Sequence, residues 1–76
     1  MGMTKTSEAL ERLSKNNLQA FEILKHAWTQ AFSGNYDNAT ISSVLKEDVI
    51  KSMKTDDTSE DIDFVISSIK KVVAIQ

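Results

Sequence analysis

The chain has 76 residues, 41% hydrophobic and 26% charged, and contains neither cysteine nor proline, which fits one globular domain and excludes disulfide-stapled and thiolate-zinc scaffolds. The net charge of −2 divides unevenly, +1 over residues 1–34 and −3 over 35–76, with five acids between Asp56 and Asp63. No face gathers the Lys and Arg that phosphate binding needs, so nucleic acid is a disfavoured partner.

No run approaches the roughly 20 apolar residues of a membrane span. The stretch Met1 to Lys15 is polar and lacks the apolar core of a signal peptide, so the expectation is a cytoplasmic protein without a membrane partner. The Asn38-Ala39-Thr40 sequon then reads as turn chemistry rather than as a glycan acceptor. A domain below roughly 70–80 residues seldom gains more than about 3–5 kcal/mol from one core. With disulfides and thiolate zinc excluded, oligomerisation is the remaining common support.

The only glycines are Gly2 and Gly34, so helices can be long. Residues 1–5 are expected to be disordered. From Thr6 to Phe32, Leu10, Leu13, Leu18, Phe21, Leu24, Trp28, Ala31 and Phe32 fall on one broad face at 100° per residue, with Ala20 and Ala27 at its edge. This predicts one amphipathic helix over 6–32, capped by Thr6 or Ser7 and about 40 Å long. Glu8/Arg12 and Glu11/Lys15 stand at i,i+4 in the favourable orientation. Gly34, followed by Asn35, Tyr36, Asp37 and Asn38, supplies a left-handed terminus and a polar turn.

In the second segment, Thr40-Ile41-Ser42-Ser43-Val44 favours strand or cap, but no partner strand is evident. Ile41, Leu45, Val49 and Met53 repeat at i+4 and predict a helix over 40–54, with initiation as late as Ser43 an alternative. In Thr55 to Asp61, Asp57 with Glu60 and Thr58 with Asp61 both have capping-box spacing. A third helix over 58–75 follows, with Ile62, Val65, Ile66, Ile69, Val72 and Val73 as its apolar stripe. The fold expected is all-α, a small three-helix bundle with a long first helix, packed as a homo-oligomer. Its core should hold Leu13, Leu24, Trp28, Leu45, Val49, Ile62, Val65, Ile66, Ile69 and Val73.

Several chemistries fail on their residues. Nucleophilic and acid–base catalysis need a nucleophile, a base and an orienting group that converge; Glu22, one turn before His26, could hold its ring, but no motif sets a nucleophile with them. His26 lies on the polar face, and Ala27-Trp28-Thr29-Gln30 replaces the lysine and glycine that follow the histidine of phosphotransfer domains. Counted as an EF-hand from Asp56, the required glycine is Asp61 and the required acid is Ser67, so helix capping explains the acids without calcium. The third helix offers a helix-turn-helix reader no arginine and places acids at the end that meets base edges. No cofactor or metal is implied.

Phe21-Glu22-Ile23-Leu24 and Ile50-Lys51-Ser52-Met53-Lys54-Thr55-Asp56-Asp57 resemble fragments of the immunoglobulin-binding three-helix domains. The fragments cover about a sixth of the chain, and the spacing between them differs. The resemblance implies shared three-helix packing and no shared activity.

The candidate interaction surface consists of Asn17, Ile23, Phe32, Tyr36, Phe64 and Ile75. Asn17 projects from the middle of the first apolar face, where one polar residue can fix the register of an oligomer or bond a turn carbonyl within the monomer. Ile23, Phe64 and Ile75 lie away from the main stripes of their helices. The expected function is non-enzymatic protein–protein interaction, as a small regulator, inhibitor, adaptor or assembly subunit with another protein as partner. The alternatives are an acidic DNA-associated helix-turn-helix-like regulator and, third, a histidine phosphorelay module.

Overall fold

The computed structural model describes residues 2–75, with the side chains of residues 5–75. Among them the only regular structure is helical: α1 (Gly2–Asn16), α2 (Leu18–Phe32), α3 (Asn38–Val44), α4 (Glu47–Met53) and α5 (Ser59–Ala74). The all-helical class agrees with the sequence reading, but there are five helices where three were expected. α1, α2 and α5 pack on one another, and α3 packs against α2 and α5. The Cα envelope measures 31 × 29 × 16 Å. Its thin dimension is about two helix layers, given a Cα radius near 2.3 Å and interaxial distances of about 8–10 Å.

The long first helix is broken at Asn17, whose backbone leaves helical geometry (φ −157°, ψ 79°). The Asn17 Oδ1 accepts from the Ala20 N–H at 3.2 Å, and its Nδ2 donates to the Met53 carbonyl at 2.7 Å and to Thr58 Oγ1 at 3.2 Å. One amide therefore caps α2 and ties the corner to the end of α4 and the start of α5. The intramolecular alternative for Asn17 is the one observed, because capping favours Asn and both of its functional ends find partners only at a bend.

α1 starts at Gly2, so Thr6 is an interior residue and not a cap. It is fully buried, and its hydroxyl donates to Ser68 Oγ on α5 at 3.0 Å. Arg12 turns away from its own helix to form a two-pronged ion pair with Asp61 of α5, at 2.8–3.2 Å. This hydrogen-bonded carboxylate raises the guanidinium's pKa further above its ordinary value. Glu11 and Lys15 pair along the helix at 3.7 Å as expected.

α2 is closed two residues past Phe32 by Gly34, the position requiring left-handed backbone (φ +81°). The Gly34 N–H donates to the Ala31 carbonyl and the Asn35 N–H to the Gln30 carbonyl, the two bonds of a Schellman closure. The second expected helix is also two, separated at Leu45 and Lys46. Leu45 leaves helical geometry (φ −107°, ψ 57°) with its side chain buried. Glu47 and Asp48 then occupy the first turn of α4, where acids complement the helix dipole.

Asp37 caps α3, its Oδ1 accepting from the Thr40 N–H at 2.8 Å. That bond holds the carboxyl below its ordinary pKa. A depressed acid contributes stability above its unfolded pKa and loses it as pH falls through the folded value. Thermal unfolding followed by circular dichroism at pH 5 and pH 2 should therefore show a larger loss for the wild type than for Asp37→Asn, whose neutral amide still caps. Equal losses would contradict this role.

Thr58 precedes α5 but does not cap it with its side chain. Its hydroxyl points inward, accepts from Asn17 and bonds Thr55 Oγ1. Neither expected capping box forms as drawn, since Asp57 accepts from Thr55 and Asp61 is held by Arg12.

The buried core comprises Ala9, Leu10, Leu13, Ala20, Leu24, Ala27, Ala31, Ile41, Leu45, Met53, Ile62, Val65, Ile66, Ile69 and Val73. Trp28 and Val49, both expected in it, are only half-buried. On α2 the apolar face has turned: Ala20 and Ala27, expected at the edge, lie at its centre, while Leu18 and Phe32 are exposed. Small side chains at the contact let α2 approach its neighbours closely, and two layers leave no third to cover the larger ones.

Candidate functional site

The buried row of α2 is Ala20, Leu24, Ala27 and Ala31, spaced i, i+4, i+7, i+11. Placed at 100° per residue, Trp28, Phe21, Phe32 and Leu18 follow in that order from roughly 70° to 150° round from the centre of that row. They form one longitudinal flank. Leu18 is 58% and Phe32 52% exposed, with Phe21 and Trp28 half-buried beside them. The Trp28 and Phe32 rings stack at a tilt, centroids 5.7 Å apart, and Lys25 Nζ stands 5.4 Å above the Phe21 ring. The flank is thus aromatic and pre-ordered by its own contacts, with Lys25, at about 130° on the same wheel, lying within it between Phe32 and Leu18.

The six residues singled out from the sequence do not share one surface role. Asn17 is committed to the corner and Ile23 packs partly against the core. Tyr36 also packs on the core, its ring edge-on to His26 at 6.1 Å. Phe32 lies on the α2 flank, and Ile75, at the end of α5, is 85% exposed. Phe64 is 39% exposed in a shallow groove of ≈ 390 Å³ between α1 and α5, lined also by Lys5, Glu8, Arg12, Glu60 and Asp61. In this groove Arg12 and Asp61 neutralise each other, which leaves no concentrated charge for an ionic ligand.

No family model matches the chain, and neither a curated protein nor a solved structure does. The geometry therefore carries the functional argument. Among the described residues no group of three or more His, Cys, Asp or Glu is placed to hold a metal, and no helix is long and apolar enough to cross a membrane.

Trp28, expected in the core, is half-buried, and of the two residues expected beside it on the broad apolar face of the first helix Phe21 is half-buried and Leu18 exposed. Counting apolar side chains by size favoured the aromatic flank as the core side. The signal for the other side was the alanine-rich i, i+4, i+7, i+11 row, which marks a close helix contact.

Proposed function

We propose that this protein works by binding another protein, not by catalysis, and that the aromatic flank of α2 is its binding face, with a second copy of the chain as the first partner. The observation that carries the reading is the exposure of Leu18 and Phe32 beside half-buried Phe21 and Trp28. Exposed apolar surface gathered on one flank marks interaction sites, and aromatic anchors dominate binding energy.

Self-pairing is supported by the order of the residues. A two-fold axis crossing α2 between His26 and Ala27 would set Phe21 against the partner's Phe32 and Lys25 against the partner's Trp28. Ring then meets ring, cation meets ring, and like charges stay apart. Such pairing also gives a small core the additional burial it lacks alone.

Sedimentation equilibrium at micromolar concentration tests this. The wild type should sediment at twice the chain mass. Leu18→Glu combined with Phe32→Glu should weaken association on the order of a hundredfold or more while keeping the helical circular dichroism, because both side chains face solvent. A strictly monomeric wild type would overturn the reading.

A further inference from the structure

Thr6, Leu10, Leu13, Asn17, Ala20, Leu24, Ala27 and Ala31 are separated by 4, 3, 4, 3, 4, 3 and 4 residues. That is an unbroken heptad seam across four repeats. Every member is buried except Asn17, which is half-buried, although the chain turns a corner in the middle of the seam. The corner itself is minimal. The Asn17 N–H donates to the Leu13 carbonyl at 2.8 Å and the Phe21 N–H to the Asn17 carbonyl at 2.9 Å, both of them bonds a straight helix would also make. The N–H of Ala20, which a straight helix would bond to the Asn16 carbonyl, is instead held by Asn17 Oδ1.

We propose that Asn17 is the hinge of a reciprocal exchange between two copies of this chain. In the closed form the Asn17 amide holds the bend. In the open form residues 2–32 make one helix about 46 Å long, and α1 leaves its own α2 and α5 to pack on those of the second copy. The same seam residues are buried in both forms, because α1 meets chemically identical neighbours. The two straight helices cross at Asn17, where each amide meets the partner's Asn17. This exchange is distinct from pairing through the α2 flank, which joins closed copies.

The chain has no cysteine, and Thr6 Oγ1 lies 3.0 Å from Ser68 Oγ on α5, so Thr6→Cys with Ser68→Cys reports which α1 sits on which α5. In the wild-type background at micromolar concentration the disulfide should form within one chain. Adding Asn17→Ala removes the cap and supplies a strong helix former. It should tighten dimerisation on the order of a hundredfold, roughly tenfold for each of two corners, and move the disulfide between chains, so that non-reducing gels show a covalent dimer. An Asn17→Ala protein that keeps its disulfide within one chain and gains no mass overturns the proposal.

Should Asn17→Ala not fold, the cysteine pair in the wild-type background is refolded at rising protein concentration. A growing interchain fraction is expected, and intrachain bonding at every concentration overturns the proposal. A flank dimer of closed copies keeps the bond intrachain, so the two ideas fail separately.

Discussion

Leu24→Ala should leave the protein largely unfolded at 25 °C. The side chain is fully buried in the row that α2 turns toward the core, and truncating such a leucine costs about 2–5 kcal/mol through lost transfer energy and the cavity left behind. One core in a domain of this size seldom supplies more than about 3–5 kcal/mol, so the loss is comparable with everything that core provides. The measurement is chemical denaturation beside Trp28→Ala. By size alone tryptophan should be the costlier truncation, but Trp28 is half-buried on the flank, where the surface can relax and water can enter. The expected order is Leu24→Ala well below Trp28→Ala in stability. The reverse order would return Trp28 to the interior, where hydrophobic periodicity alone places it.

The helical class, the closure at Gly34 and the stripe of α5 were all legible in the sequence, for a common reason. Each rests on local chemistry: the absence of proline, a glycine followed by polar turn residues, and six β-branched residues at i, i+3, i+4 spacing. The expected third helix, 58–75, differs from α5 by only a residue at each end. The corner at Asn17 was not legible as a corner, because both adjoining helices share one heptad phase and no glycine or proline marks the bend. Asn17 did stand out as a polar residue within an apolar face, and what it bonds was decided by Met53 and Thr58, residues 36 and 41 positions away. Long-range partners of this kind have no local signature.

The division of the second helix was closer to readable. Glu47 and Asp48 are acids placed where a new helix would want them, but the i+4 repeat from Ile41 to Met53 runs through the break and hides it. The candidate surface emerged only at Phe32, for a different reason. An amphipathic helix that carries both large and small apolar residues has two possible buried sides. Propensity does not choose between them; close approach to neighbouring helices does. Here α2 turns its alanines toward its neighbours and keeps its rings at the margin, which is also how a surface available for binding arises.

Ala27→Leu is expected to be the second most damaging single change, and its sign distinguishes the two sides directly. Ala27 has no exposed surface and lies between Ala20 and Ala31 on the row that meets the core. Adding three carbons there must push α2 outward or force side chains from their rotamers, a strain of typically 1–3 kcal/mol and occasionally more. Intrinsic helix propensity contributes almost nothing to this, since leucine is nearly as good a helix former as alanine. The loss therefore reports packing. If the broad face expected from the sequence were the buried side, position 27 would lie at its edge and leucine would be tolerated or mildly stabilising through extra burial. Denaturant titration of Ala27→Leu, read for midpoint and slope, decides between them. A midpoint lowered at constant slope is the expected result, and a midpoint at or above that of the wild type would mean that the alanine row is not the seam of this fold.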